Sequence, residues 1–127
     1  MRTRTVITVL AGILACGLPL WPIAYKDVSI GSNPSTRVWF ALGALAGFVG
    51  GWLLKPKLRR PILAVTFGFA LAVCGRVEVE TSRDPTSHNL WPFEVVIAAF
   101  YGCVASSIGV GLVWTVRAFR RETPTAD

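Results

Sequence analysis

Four stretches of this chain are long and apolar enough to cross a lipid bilayer, and that feature limits the possible folds more than any other. The hydrocarbon core is about 30 Å thick, so a spanning helix rising about 1.5 Å per residue needs about 20 mainly apolar residues. Residues 6–24 are an uncharged run of 19, and 38–54 are a run of 17 that are all apolar or glycine. Residues 95–116 make a run of 22, with Tyr101, Ser106, Ser107 and Thr115 as polar interruptions. The shortest, 61–75, has 15 residues and spans fully only by continuing through Arg76, Val77, Glu78 and Val79. Lipid offers no hydrogen bonds to a bare backbone, so apolar segments of this length must be helices. The fold expected is all-α and integral to a membrane, with four transmembrane helices in an antiparallel bundle.

Helix punctuation sets the limits. Asn33-Pro34 puts a capping side chain before a proline at the first helical position, and Pro61 and Pro92 start the third and fourth helices in the same way. Glu94 then lies near the positive end of the fourth helix dipole. Lys55-Pro56 ends the second helix, and the short link to Pro61 makes helices two and three an antiparallel hairpin. The expected helices are 5–24, 34–54, 61–79 and 92–117, in a single domain covering 1–127. Trp21, Trp39, Trp52, Trp91 and Trp114 all fall near expected helix ends, at the headgroup level that indole rings prefer.

Charge gives the bundle two different ends. Arg2, Arg4, Lys55, Lys57, Arg59, Arg60, Arg117, Arg120 and Arg121 flank the helices on one side, nine in all. Lys26, Arg37, Arg76 and Arg83 lie on the other, together with Asp27, Glu78, Glu80, Asp84 and Glu94. By the positive-inside rule both termini are cytoplasmic and the protein is a multi-pass protein of a cell inner membrane. The formal charge of +6 is therefore a topology signal. It does not point to nucleic acid, because no basic helix lies outside the spans.

The N-terminus admits a second reading. Arg2 and Arg4 followed by an apolar run ending Ile13-Leu14-Ala15-Cys16-Gly17 partly match a lipoprotein signal, cleaved before Cys16. Leucine at 14 does not suit that signal, and the run continues to Ala24. A retained first helix is the expectation.

Helices in lipid associate by close packing at small residues. Gly43, Gly47 and Gly51 recur at spacing four, as do Ala64, Gly68 and Ala72, and as do Ala98, Gly102 and Ser106. A neighbouring stripe holds Ala99, Cys103, Ser107 and Gly111. Packing within one bundle explains these faces; a glycine zipper that assembles several chains is the alternative. Shifting the chain by 58 residues aligns Thr8 with Thr66, Cys16-Gly17 with Cys74-Gly75, Pro34 with Pro92 and Gly51 with Gly109. Apolar segments also match by chance. Taken as a repeat, the match makes the chain two tandem helical hairpins about a pseudo-twofold axis along the membrane normal.

Chemistry has little room here. Hydrophobic residues are 53% of the chain and charged ones 16%, leaving no separate soluble domain for catalysis. The middles of the four segments hold no Asp, Glu, Lys, Arg or His, which argues against proton-coupled transport. No phosphate loop or nucleophile elbow occurs, and the three cysteines form no Cys-x-x-Cys. No catalytic, cofactor or metal site is expected, since His88 with Asp84 and Glu94 is a weak metal signal. The one polar concentration is Arg76, Glu78, Glu80, Arg83, Asp84, His88 and Glu94 with Trp91 beside them. These are the candidate residues for recognising a partner.

The function expected is protein–protein interaction in the membrane, as an accessory subunit or an immunity-type protector, without catalysis. Its partners are the lipid bilayer and either another membrane or extracytoplasmic protein or further copies of itself. The alternative is a small oligomeric channel or transporter assembled through Gly43, Gly47 and Gly51.

Overall fold

The computed structural model describes residues 2–22, 34–54, 59–83 and 91–122, and these residues are helical apart from short ends. The order is α1 (Arg2–Leu20), α2 (Pro34–Leu53), α3 (Arg59–Arg83) and α4 (Trp91–Glu122). All four are long and apolar enough to cross a membrane.

The helix limits differ from those expected, for local reasons. α1 ends at Leu20 rather than at 24, because Pro22 disfavours a helical conformation at Trp21. The Trp21 amide closes the last turn on the Gly17 carbonyl at 2.8 Å. α3 begins two residues before Pro61, which is tolerated because the first N–H groups of a helix lack intrahelical acceptors anyway. It then runs past 79 to Arg83, with Arg76 and Glu80 paired one turn apart on the way. α4 has 32 residues. At 1.5 Å per residue it is about 48 Å long, well beyond the thickness of a hydrocarbon core.

α1 packs against α3 and α2 against α4, and these two layers join through α1–α2 and α3–α4. The α2–α3 and α1–α4 contacts are smaller and lie across the diagonals. The short link therefore does not make α2 and α3 close neighbours, as its length alone suggested. Each finds a better-matched surface elsewhere: Gly47 of α2 sits against Ser106 of α4, and Gly68 of α3 sits against Gly12 of α1.

Direction follows from the contact pairs. Gly12 meets Val65 and Leu20 meets Arg76, so α1 and α3 run the same way. Gly43 meets Ala105 and Gly51 meets Val113, so α2 and α4 do as well. Arg4 reaches Leu53 and Thr8 meets Gly50, so α1 and α2 run in opposite senses. This arrangement corrects the pseudo-twofold expectation. An axis along the bundle would set α1 opposite α3 and α2 opposite α4, and two opposite pairs cannot both be in close contact. The second hairpin instead lies beside the first, displaced sideways without being turned around.

The centre is filled by side chains. Phe69 and Val65 are fully buried, packed with Ala15, Cys16, Ala46, Ala72, Val73 and Ala98. The outside is apolar as well: Leu18, Leu63, Phe67, Phe100, Ile108 and Leu112 are all more than half exposed. In water that surface would be costly, whereas in lipid it is the expected solvent-facing side.

Candidate functional site

The polar residues singled out in the sequence gather at the end of the bundle formed by the C-termini of α1 and α3 and the N-termini of α2 and α4. Arg76 is the centre of this region. Its side chain is only 6% exposed. Nη1 donates to the Leu20 carbonyl at 2.9 Å, closing the C-terminus of α1, and Nε donates to Glu80 Oε1 at 2.8 Å. A helix C-terminus has carbonyls without intrahelical donors and a partial negative charge, so a cation there is favourable on both counts. Beside it, Trp21 Nε1 donates to the Ala72 carbonyl at 3.3 Å, a second tie between the same two helices.

Arg76 and Glu80 are thus brought together, but Arg76 serves the inside of the fold. Of the other candidates, Glu78 and Arg83 are exposed on the last turns of α3, and at the start of α4 Trp91 is exposed and Glu94 half-buried. Glu80 is partly exposed at the edge between the two roles. Asp84 and His88 lie outside the described residues. Among the described residues no three His, Cys, Asp or Glu side chains group as metal ligands.

Of the helix-packing candidates, each faces a neighbour within the same chain. Gly43 lies against Ala105 and Phe69, Gly47 against the Ser106 backbone, and Gly51 against Val113 and Val110. Gly68 approaches the Val9 carbonyl, and Gly102 makes room for the ring of Phe69. Ser106 is fully buried and its hydroxyl donates to the Cys103 carbonyl at 3.2 Å. The Gly43, Gly47 and Gly51 face is therefore occupied by α4 of the same chain. The neighbouring stripe behaves differently: Cys103, Ser107 and Gly111 are exposed.

Sequence reasoning missed Thr8 and Gly12. Thr8 is fully buried, donates to the Arg4 carbonyl at 2.9 Å and puts its methyl group against Gly50. The spacing of four that joins Thr8, Gly12 and Cys16 was available as a signal. It is the same small-residue pattern read in the other helices. Trp39 departs from the wet indole expected of it. Its ring is half buried, edge-on to Tyr101 at 6.2 Å, and Nε1 is buried with no hydrogen-bond partner among the described residues.

The opposite end is built from arginines. Arg4 Nη1 donates to the Leu53 carbonyl at 3.4 Å and Arg117 Nη2 to the Gly51 carbonyl at 3.0 Å, so two helices close the C-terminus of α2. Arg117 also stacks over Trp52, its Cζ 4.9 Å from the ring centroid. The chain matches no family model, no curated protein and no solved structure. Functional inference rests on these residues.

Proposed function

We propose that this is a small multi-pass protein of a cell inner membrane that acts by binding another protein, as an accessory subunit or an immunity-type protector, and not by catalysis. The observation that carries this reading is the outer end of α3. Arg76 anchors it to α1, so the following turns present Glu78 and Arg83 from a fixed base, at the same end as Trp91 and Glu94. A rigid polar edge beside an exposed indole suits protein recognition, where aromatic and arginine side chains are favoured contacts.

The difference between the two ends supports an orientation. Among the described residues the helices bring Arg2, Arg4, Arg59, Arg60, Arg117 and Arg120 to one end, whereas the other end balances Arg37, Arg76 and Arg83 with Glu78, Glu80 and Glu94. The positive-inside rule puts the arginine end in the cytoplasm, with both termini, so that α1 and α3 cross the membrane in one direction and α2 and α4 in the other.

Affinity purification from membranes in mild detergent tests the reading. A specific co-purifying protein is expected, and it should be lost when Glu78 and Arg83 are both replaced by alanine. Capture of nothing beyond the chain itself, or of the same protein by wild type and double variant alike, would count against it.

A further inference from the structure

The arginine end contains a more specific feature than a general excess of positive charge. Arg117 and Arg120 of α4 both lie over the indole of Trp52 in α2, with Cζ 4.9 Å and 6.0 Å from its centroid. Two guanidinium groups on one ring concentrate two charges that would otherwise repel each other to separate positions. Arg117 is held there by its hydrogen bond to the Gly51 carbonyl, at 3.0 Å, while its Nε is buried and has no acceptor among the described residues. An arginine stacked on an aromatic face keeps its N–H edge for an oxygen anion, and that planar fork matches a phosphate.

The surroundings identify the kind of phosphate. Trp114 and Phe119, on the same end of α4, are 66% and 67% exposed. In a bilayer these rings lie at the boundary between acyl chains and headgroups, level with the two arginines. A ligand reaching this place therefore offers an anion to the arginines and hydrocarbon to the rings. We propose that Arg117, Arg120 and Trp52 form a binding site for the phosphate headgroup of an anionic phospholipid, whose acyl chains run down the apolar face of α4.

The test is native mass spectrometry of the full chain, released from micelles doped equally with phosphatidylglycerol and phosphatidylcholine. Wild type should retain phosphatidylglycerol in preference. An arginine near a charged surface contributes enough to bind anionic lipid about fivefold more tightly, so Arg120→Gln should reduce the preference by about that factor. Arg120→Gln leaves the Arg117 cap on Gly51 in place, so the fold is retained; Arg117→Gln should reduce the preference further. Arg2→Gln with Arg59→Gln removes two charges from the same end, twice what Arg120→Gln removes, and should still leave most of the preference. Inorganic phosphate added with phosphatidylcholine alone should give no adduct. Equal retention of both lipids by wild type overturns the proposal. So does an equal loss in the Arg2→Gln, Arg59→Gln control, which would reduce the site to diffuse charge. A phosphate adduct in the absence of anionic lipid would overturn the lipid assignment.

Discussion

Gly47 of α2 lies so close to the backbone of Ser106 in α4 that the position admits no side chain. Any Cβ there collides with main chain, which cannot rotate away as a side chain can. Replacing Gly47 by leucine should therefore lower the stability of the single chain by at least the roughly 1–3 kcal/mol typical of overpacking. Unfolding in detergent, followed by circular dichroism, measures it. The loss should be the same at low and high protein concentration, since the contact is within one chain.

Gly111 is the matched contrast. Among the described residues nothing lies within 4 Å of a Cβ built there. Gly111→Ala should leave the unfolding midpoint unchanged or raise it, within about 1 kcal/mol, through better helix propensity. A large loss at Gly111 would mean that this face of α4 is covered by something outside the chain.

Arg76→Leu removes the donor to the Leu20 carbonyl and the ion pair with Glu80. A cost of about 1–3 kcal/mol is expected from the unmet polar groups. Arg76→Lys keeps the charge but offers no planar fork for two partners at once, so it should recover only part of that loss. Trp21 fluorescence gives a local readout, because its indole is tied to Ala72 next to this clamp.

Phe69→Ala empties the centre of the bundle, where the ring fills the space left by Gly43 and Gly102. Soluble proteins lose about 3–5 kcal/mol for such a change. A smaller loss, about 2–3 kcal/mol, is expected here, because a separated helix in lipid keeps the ring out of water and only packing is lost.

Cys16 is fully buried, whereas Cys74 and Cys103 are exposed on the outer faces. In the detergent-solubilised folded protein a small apolar thiol reagent should label Cys74 and Cys103 faster than Cys16, which should react only after unfolding. Mass mapping of the labelled peptides distinguishes the three. Early labelling of Cys16 would show that α1 separates readily from α3.

The four spans, their approximate ends and the segregation of arginine to one end were readable from the sequence, because they depend on local quantities. Run length against bilayer thickness makes residues 38–54 a span wherever they pack. Proline marks a helix start through its own geometry, as Pro34 does for α2. Glycine spacing likewise showed which face of α2 is smooth. It did not show what lies against that face. Ser106 at Gly47, Gly12 at Gly68 and Trp52 beneath Arg117 pair residues more than 50 positions apart. Apolar surfaces in lipid have little preference among partners until their shapes are brought together. For that reason only the tertiary structure decided that α2 packs on α4 rather than on α3, its neighbour in sequence. It also decided that the second hairpin stacks beside the first without rotation, and that Arg76 closes a helix within the fold instead of facing a partner.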